Sequence, residues 1–427
     1  MNVLILSAIW GALMMFSGVL LKGKSAVRLL AIAGMLALVL VNLLELQGNL
    51  FFDISVAELM TYDRPSLIFI GIATISTLIY LLLSGRDIEK LGMYRSEYFA
   101  LLFFIICGID LVASFDSLLI LFLGIEIISI PLYILTGSDK RNLKSNEASL
   151  KYFLMGSFST GLMLMGIALV YGAKASFGLS AINSVIDGKT SVLLIAGMLL
   201  LMFSMAFKAS VAPFHFWTPD VYDGAPTVFT SFMATVVKAA VFVAFVRLFS
   251  NAFSSVQSQW QLVAGILTVA TLFIGNITAV FQQSVKRMLA YSSIAQAGFM
   301  MFAVYSMSAE GKEGLVLYVT AYSLATIGIF AVLIRMHDYT FDGFNGFAKR
   351  QPLLAATTTI FLLSLAGIPL TAGFMAKFYM LKATLADGKH LWLVIFAVLM
   401  AAVSVFYYFR VIQAMYFREG QTNAHEL

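Results

Sequence analysis

The sequence predicts an all-α polytopic membrane protein, and three features of the chain lead to that fold class. Of its 427 residues, 61% are hydrophobic and only 11% are charged. The mean hydropathy is +0.93, which is outside the usual composition of soluble globular domains. Apolar runs of about twenty residues recur along the whole chain, and each can cross a bilayer core of roughly 30 Å. Because helices satisfy their own backbone hydrogen bonds in lipid, they are the expected spanning elements.

The apolar runs predict about thirteen transmembrane helices, of which the seventh and the twelfth are broken. Spans 4–8 and 9–13 would be two five-helix units of opposite orientation, which is the arrangement of an inverted repeat. The predicted organisation is an N-terminal three-helix segment (1–90), two repeats (97–249 and 258–416) and a polar tail (417–427). The predicted spans are 3–21, 27–46, 66–84, 97–114, 116–136, 147–171, 190–220, 225–249, 258–281, 284–306, 314–337, 351–386 and 390–416.

The orientation is predicted from the basic residues near the ends of the spans. Cytoplasmic loops of membrane proteins are enriched in Lys and Arg, so the richer set of loops is predicted to be cytoplasmic and the N-terminus outside. The richer set holds Lys22, Lys24, Arg28, Arg86, Lys90, Arg95, Lys140, Arg141, Lys144, Lys151, Lys286, Arg287, Arg335, Lys349, Arg350, Arg410 and Arg418. The poorer set holds Arg64, Lys174, Lys189, Arg247, Lys312, Lys382 and Lys389. The three basic residues left over lie inside predicted spans: Lys208, Lys238 and Lys377.

Several classes of site are not expected in this chain. The single cysteine, Cys107, excludes an intrachain disulfide and a multi-cysteine iron–sulfur or zinc site. Of the four histidines only His215 lies beside a candidate core lysine, so a histidine metal cage is not predicted. The chain has neither a GxGxxG motif nor a P-loop, so no nucleotide site is indicated. We therefore predict no cofactor and no metal in this chain.

Glu126 lies near the middle of the fifth span, in the stretch LLILFLGIEIISIPLYIL. An ionised carboxylate at the centre of a bilayer costs about 2.5–3.5 kcal/mol on insertion scales. Ser129 and Tyr133 follow at i+3 and i+7, so the three polar side chains share one helix face. That face is predicted to look into the protein, and Glu126 is a candidate proton-transfer residue.

Lys208 lies in the seventh span, in the stretch MAFKASVAPFHFW. Pro213 has no N–H and clashes with the preceding turn, so it is predicted to break the helix. Broken helices at membrane depth are tolerated where they line a cavity, and they mark transport sites in many carriers. His215 follows the break, and it is a candidate proton relay because imidazole titrates near neutral pH.

Lys238 lies in the eighth span at the end of a polar stripe. Thr227, Ser231, Thr235 and Lys238 are spaced four, four and three residues apart, which places them on one face of a helix. Such a stripe can carry ordered water to the lysine. Lys238 is therefore a candidate proton-transfer residue.

Lys377 lies in the twelfth span, which Gly367, Pro369 and Gly373 interrupt. The seventh and twelfth spans are thus both overlong, broken and lysine-bearing. A lysine removed from water holds its proton less tightly, whereas a carboxylate within about 4–6 Å makes it hold the proton more tightly. Movement of Glu126 toward or away from Lys208 would therefore load or unload a proton, and Lys238 and Lys377 would continue the row.

Structural roles are the alternative for each of these residues. Glu126 and Lys208 could be an ion pair that only fixes the register of two helices. Lys377 could extend to the membrane surface along its own alkyl chain. His215 could be a hydrogen-bonded structural residue.

Three polar residues in the stretch AYSSIAQAGFM, namely Ser292, Ser293 and Gln296, allow two readings. They could line water, or they could join helices by hydrogen bonds, and we favour the second. Asp110 and Asp116 are predicted to lie at a helix end near the membrane surface.

Four stretches of the chain resemble the antiporter-like subunits of respiratory complex I, and most of all the subunit N family. They are LFLGIEIISIPLYIL, KASVAPFHFWTPDVYDGAPT, KRMLAYSSIAQAGF and LLSLAGIPLTAGFMAKFY. The segment FHFWTPDVYDGAP is the most specific, and sister subunits and Mrp-type antiporters resemble it less closely there. The resemblance runs from about Glu97 to Tyr416, while the first three spans match only in pattern. The family usually has fourteen spans, one more than the sequence predicts.

The resemblance implies a proton-translocating role and assigns it to particular residues. The family uses a glutamate in the fifth span and lysines in the seventh, eighth and twelfth, which match Glu126, Lys208, Lys238 and Lys377. The histidine after the seventh-span break matches His215. The resemblance also implies that NADH, FMN, iron–sulfur clusters and quinone are bound by other subunits of the complex. The expected partners are the sister antiporter-like subunits, small membrane subunits and the lipid of a bacterial inner membrane.

Three hypotheses about function follow from the sequence. The first is a proton-translocating subunit of an NADH:quinone oxidoreductase, which is a translocase. The second is a subunit of an Mrp-type cation/proton antiporter without a redox partner. The third is a structural membrane scaffold whose buried charges carry no protons. The channel chemistry is common to the first two, and the segment TPDVYDGAP favours the first.

Overall fold

The computed structural model describes residues 1–420 except residues 22, 53, 55, 57, 93, 185–190 and 386–389, and the described part is mostly α-helical. It contains no strand, only three isolated β-bridges. A π-helical stretch, Met233–Val237, joins two of the helices. The helices are α1 (Asn2–Leu20), α2 (Lys24–Leu46), α3 (Arg64–Ile88), α4 (Arg95–Ser114), α5 (Leu118–Thr136), α6 (Leu143–Lys174), α7 (Leu179–Asn183), α8 (Val192–Lys208), α9 (Trp217–Gly224), α10 (Thr227–Phe232), α11 (Lys238–Ala252), α12 (Gln257–Val280), α13 (Val285–Ser306), α14 (Ala309–Leu333), α15 (Phe347–Arg350), α16 (Pro352–Ala366), α17 (Ala372–Leu385) and α18 (Leu391–Phe417).

Eleven stretches among the described residues are long and apolar enough to cross a membrane. They are α1 to α6, the continuous helix that contains α10 and α11, α12 to α14, and α18. Helices α8 and α16 are apolar but shorter, with 17 and 15 residues, and they are the first halves of the two spans predicted to be broken. The all-α polytopic fold class is confirmed, while the count of thirteen spans and the inverted repeat stay predictions.

Both breaks lie where the sequence places helix-breaking residues. Helix α8 ends at Lys208, five residues before Pro213, and α9 begins only at Trp217. Helix α16 ends before Gly367, whose φ of +81° is a left-handed conformation that glycine adopts without strain. The Gly367 N–H donates to the carbonyls of Leu363 and Ser364, as is usual for a glycine-terminated helix.

The chain divides into two compact units, and the first break lies on the division. The first unit contains Met1–Lys208 and Val236–Trp260, and the second contains Ala209–Thr235 and the residues from Gln261 onward. In the first unit α4 packs on α1 and α5, and α6 packs on α8. In the second unit α14 packs on α16 and α17, and α13 packs on α9 and α17.

Close helix contacts in the first unit depend on glycine. A Cβ atom added to Gly108 of α4 would lie 2.9 Å from the Gly124 carbonyl oxygen of α5. Small residues of this kind let helix backbones approach closely, which is the main way that membrane helices pack. This contact fixes α5 against α4 two residues before Glu126.

Candidate functional site

The first unit brings Glu126 and Lys208 together, as the sequence predicts. Glu126 lies on α5 with a side chain 21% exposed, and Lys208 is the last residue of α8 with a side chain 6% exposed. The Lys208 Nζ lies 3.9 Å from Glu126 Oε1, at the outer limit of an ion pair. The carbonyls at the end of a helix attract a cation, so the C-terminus of α8 is a favourable place for this charge.

A serine hydroxyl lies beside this ion pair. Lys208 Nζ donates a hydrogen bond to Ser129 Oγ at 3.0 Å, which is shorter than its distance to the carboxylate. Ser129 is one helical turn from Glu126 on α5, as the i+3 spacing predicts. A hydroxyl can both accept and donate, so Ser129 is suited to pass a proton between neighbours of the lysine.

Thr160 of α6 is a member of this site that we did not predict from the sequence. Its Oγ1 donates to Glu126 Oε1 at 2.7 Å and also contacts the Gly156 carbonyl of its own helix. Glu126 is therefore held by a hydroxyl on one side and by an amine on the other. The available sequence signal was the run of small and polar residues GSFSTG around Thr160 in an otherwise apolar span.

Replacing Thr160 with valine is expected to weaken proton transfer without disturbing the fold. The variant keeps the shape but removes a hydrogen bond to a charged group, which is worth about 1.5–3 kcal/mol when fully buried and less at this partly exposed site. We expect proton pumping by the assembled complex to fall about two- to tenfold. Thr359→Val is the matched control, because the Thr359 hydroxyl donates only to the backbone of its own helix. Equal pumping by the two variants would contradict the role of Thr160.

Lys238 is the first residue of α11 and is 2% exposed. The helix α11 packs on α8, which carries Lys208. The five residues before Lys238 are π-helical, so the helix does not keep the regular spacing on which the predicted stripe depends. Thr235 Oγ1 donates to the Ser231 carbonyl at 2.6 Å and is therefore bonded to its own backbone.

Lys377 lies on α17 and closes the end of α16 in the second unit. Its Nζ donates to the carbonyls of Leu365 and Ala366 at 2.8 and 3.1 Å, which are among the last groups of α16 and have no partner within their own helix. The Nζ also lies 4.5 Å from the centroid of the Phe299 ring. Lys377 is only 6% exposed, so extension to the membrane surface does not describe its position.

His215 lies between α8 and α9 along the chain and belongs to the second unit. It is 5% exposed, and its ring packs against that of Phe216 with centroids 4.7 Å apart. Its Nδ1 is buried without a hydrogen-bond partner among the residues described by the structure. The His215 carbonyl accepts from the Thr218 N–H at 2.9 Å, so its backbone is fixed at the start of α9.

Lys286 is a buried residue that our sequence count assigned to a loop. It lies in the first turn of α13, is 3% exposed and donates to the carbonyls of Asp223 and Ala225 at 2.9 and 2.7 Å. The neighbouring Arg287 pairs with Asp220 at 3.0 Å. Lys286 and Arg287 thus bind α9 and the residue after it. This helix lies in the segment FHFWTPDVYDGAP, which carries the most specific resemblance to the subunit N family.

Asp110 is a correction to the sequence prediction, which placed it near the surface at a helix end. It lies one turn before the end of α4, it is 1% exposed, and its Oδ1 accepts from Tyr62 Oη at 2.7 Å. The segment before α3 covers this helix end, because the Thr61 N–H donates to the Ser114 carbonyl at 2.7 Å. Burial and the Asp110 carboxylate raise the pKa of the Tyr62 phenol.

The pattern of basic residues also predicts Arg247 to lie in a loop, but it lies on α11 and its side chain is only 10% exposed. Its guanidinium holds the segment before α3 against the end of α4, because it bonds atoms of both. The acceptors are the carbonyls of Phe115 (2.7 Å), Thr61 (3.2 Å) and Ser114 (3.4 Å), Asp63 Oδ2 (3.2 Å) and Ser66 Oγ (3.0 Å).

Over the part of the chain that the structure describes, no group of three or more His, Cys, Asp or Glu side chains could hold a metal ion.

The sequence comparisons place relatives of this chain in one enzyme complex. Residues 116–404 match the family model described as NADH:quinone oxidoreductase/Mrp antiporter, TM. NADH-quinone oxidoreductase subunit N of Trichlorobacter lovleyi is 40% identical over 375 residues, which are 86% of this chain and 77% of the relative. NADH-quinone oxidoreductase subunit N 2 of Rhizobium meliloti is 37% identical over 406 residues, 94% of this chain and 84% of the relative.

The structural comparisons agree with the sequence comparisons. A chain of respiratory complex I from Thermus thermophilus with bound aureothin matches with a TM-score of 0.84 and 31% identity, over 98% of this chain and 91% of that chain. A chain of the Mrp complex from Dietzia matches with a TM-score of 0.83 over 99% of this chain and 81% of that chain, and at 19% identity this likeness concerns the fold alone. The chain therefore belongs to the NADH:quinone oxidoreductase and Mrp antiporter family of membrane subunits, and within it to NADH-quinone oxidoreductase subunit N.

Proposed function

We propose that this chain is a proton-translocating subunit in the membrane arm of an NADH:quinone oxidoreductase. The observation that supports this most directly is the pairing of Glu126 with Lys208 inside apolar helices, with Ser129 in contact with the lysine. Intramembrane ionisable residues are expensive and are typical of ion and proton paths. The names of the relatives supply the complex in which such a path would work.

The proposed roles of the residues follow their positions. Glu126 modulates the charge of Lys208, and Lys208, Lys238 and Lys377 each accept and release a proton during turnover. His215, buried with an unpaired Nδ1 among the described residues, is proposed as a relay. We assign these roles to the two halves of an inverted repeat, 97–249 and 258–416, each of which has one broken span that bears a lysine.

The proposed chemistry of this chain is proton transfer alone. Electrons would pass from NADH to quinone through FMN and iron–sulfur clusters held by other subunits, which makes this chain a non-redox part of a translocase of class EC 7.1.1. Its partners would be the sister antiporter-like subunits, small membrane subunits and lipid. The bacterial relatives support a bacterial inner-membrane location. The excess of basic residues on one set of loops supports an orientation with the N-terminus outside.

Replacing Lys238 with alanine tests this proposal against a structural scaffold. If Lys238 carries protons, we expect NADH-linked proton pumping to fall about tenfold or more, because a positioned acid–base group contributes at least that much to a proton transfer. The measurement is dye-reported acidification of proteoliposomes that contain equal amounts of assembled complex. Lys312→Ala is the control, since Lys312 is exposed at the start of α14. Undiminished pumping by Lys238→Ala would support the scaffold.

An Mrp-type antiporter remains the second candidate, because the matching family model includes such proteins. The two functions differ in their energy source. Co-purification of this chain with NADH-oxidising activity would support the oxidoreductase. Cation-driven proton movement by a complex that lacks flavin and iron–sulfur subunits would instead support the antiporter.

A further inference from the structure

A network of hydrogen bonds around Gln296 joins four helices of the second unit. Gln296 Nε2 of α13 donates to the Leu365 carbonyl of α16 at 2.9 Å and to Tyr408 Oη of α18 at 3.0 Å. Its Oε1 accepts from Tyr318 Oη of α14. Both protons of the amide and its oxygen are thus engaged, so the network fixes the orientation of the side chain.

Gln296 and Lys377 share an acceptor. The Leu365 carbonyl accepts from Gln296 Nε2 and, at 2.8 Å, from Lys377 Nζ. A lysine ammonium has three N–H donors, and the carbonyls of Leu365 and Ala366 account for two of them. The third N–H is therefore available to a further acceptor.

A small cavity lies beside this third donor. Its volume is about 10 Å³, and Lys377, Gln296, Tyr318 and Tyr322 contribute the ionisable and amide side chains of its lining. A space of about this size is sufficient for one water molecule if the site also supplies two to four polar partners. Because the lining carries the Lys377 amine, the phenols of Tyr318 and Tyr322 and the Ser364 hydroxyl, it meets that condition.

Tyr322 supplies an independent indication of a bound water. It is 3% exposed, and its Oη lies beside the hydroxyls of Ser293 and Thr326 but makes no hydrogen bond of normal geometry to any described residue. A buried hydroxyl left without a partner costs about 1–3 kcal/mol. Tyr322 lies four residues after Tyr318 on α14, so both hydroxyls lie on one face of that helix and line the same cavity.

We propose that this cavity binds one water molecule that transfers protons between Lys377 and the tyrosine hydroxyls of α14, and that Gln296 positions the Tyr318 hydroxyl beside that water. The proposal deepens the proposed function and rests on it, because it requires Lys377 to exchange protons. It assigns roles to Tyr318, Tyr322 and Gln296, which the sequence prediction treated as helix contacts or did not consider.

The transfer involves protons only, and no electron is exchanged. The water oxygen accepts a proton from Lys377 Nζ as one of its own O–H bonds breaks, and that proton is received by a tyrosine Oη. In this step the receiving oxygen is Tyr322 Oη, which passes its own O–H proton to the hydroxyl of Ser293 or Thr326 beside it, and that hydroxyl gives up its proton in turn, so each oxygen keeps its number of bonds. The Tyr318 hydroxyl, whose proton is held by the Gln296 amide oxygen, acts only as an acceptor that orients the water. Lys377 becomes a neutral amine until a proton arrives from the other direction.

The test compares tyrosine-to-phenylalanine variants of the complete complex in proteoliposomes. Tyr322→Phe and Tyr318→Phe each remove one hydroxyl from the cavity but keep the ring, and we expect NADH-linked pumping to fall about three- to tenfold with a larger solvent deuterium isotope effect. Tyr305→Phe is the matched control, because Tyr305 Oη bonds His390 Nδ1 at 2.8 Å and does not line the cavity. Pumping and isotope effects in all three variants equal to those of the unmodified complex would overturn the proposal.

A parallel Lys377→Ala variant separates this inference from the proposed function. Lost pumping in Lys377→Ala with normal pumping in both cavity variants would overturn the water relay alone. Normal pumping in Lys377→Ala would overturn the role of Lys377 itself. Cryo-electron microscopy of the unmodified complex, at a resolution that shows ordered water, is the second measurement and does not depend on the folding of any variant. Density within hydrogen-bond distance of Lys377 Nζ and Tyr322 Oη supports the relay, and its absence beside other ordered waters overturns it.

Discussion

Replacing Lys208 with alanine is expected to lower NADH-linked proton pumping about tenfold or more, because it removes the proposed proton carrier from the site on α5 and α8. The same change leaves the Glu126 carboxylate with Thr160 but without the amine that lies 3.9 Å away. Removing one partner of a buried ion pair destabilises a protein by about 3–5 kcal/mol, and less where one partner is partly exposed. Reduced assembly is therefore expected beside the loss of pumping.

A double variant separates these two effects. Glu126→Gln combined with Lys208→Ala removes both charges, so the cost of an unpaired carboxylate is relieved. If the pair only fixes helix register, the double variant should regain assembly and pumping together. If Lys208 carries protons, it should regain assembly alone. Glu126→Gln by itself is expected to lower pumping more than it lowers stability.

The chain contains a matched control for this pair. Lys151 and Glu147, four positions apart in the chain, form an ion pair of 2.8 Å on the exposed face of α6. Exposed pairs of this kind contribute about 0–1 kcal/mol. Lys151→Ala should leave both assembly and pumping unchanged. A Lys208→Ala complex that behaved like Lys151→Ala would remove the basis of the proposed mechanism.

The second large effect is expected on stability, from Arg247→Met. The methionine fills much of the same space but removes the guanidinium donor from three carbonyls, a carboxylate and a hydroxyl. Of these acceptors the Ser114 carbonyl keeps its bond from the Thr61 N–H. We expect a loss of about 1.5–3 kcal/mol, because hydrogen bonds of a charged group are lost while the Asp63 side chain is 43% exposed. The loss is seen as a lower midpoint of thermal unfolding and less assembled complex. Arg247→Lys should recover only part of the stability, since an ammonium cannot reproduce the planar fork of a guanidinium.

Arg64→Met is the control for this experiment, because Arg64 is an exposed arginine at the start of α3. It removes the same functional group from a position nearby. If Arg64→Met and Arg247→Met lowered the unfolding midpoint equally, the bonds of Arg247 would not account for the stability of this region. Pumping per assembled complex should stay normal in both variants, which separates this residue from the proton path.

Energetic cost explains why part of the site could be predicted from the sequence. A charge inside an apolar run is rare, so Glu126, Lys208 and Lys377 stand out without any structural information. Proline and glycine likewise indicate both helix breaks, because they act through the local backbone. The role of Thr160 could not be predicted in this way, since a threonine in a membrane helix is inexpensive and its partner lies 34 residues away.

Residues near span ends were the least predictable. Lys286 and Arg247 were assigned to loops because hydropathy locates a span end only to within a few residues. The prediction for Asp110 is wrong because the segment before α3 covers the end of α4, where the Thr61 N–H bonds the Ser114 carbonyl. A contact between residues so far apart in the chain cannot be predicted from the local sequence pattern. The polar stripe before Lys238 assumes regular α-helical spacing, whereas a π-helical stretch alters that spacing.

The position of Lys377 at the end of α16 has a mechanical consequence. Its ammonium and the two carbonyls it binds neutralise part of each other's charge, so the lysine and the shape of the backbone form one system. When the amine gives up its charge, these carbonyls lose much of their attraction to it, and the half-helix gains freedom to unwind or tilt. In the proposed function, release of the Lys377 proton therefore weakens the hold on the end of α16, which couples proton transfer at one nitrogen to the position of this helix.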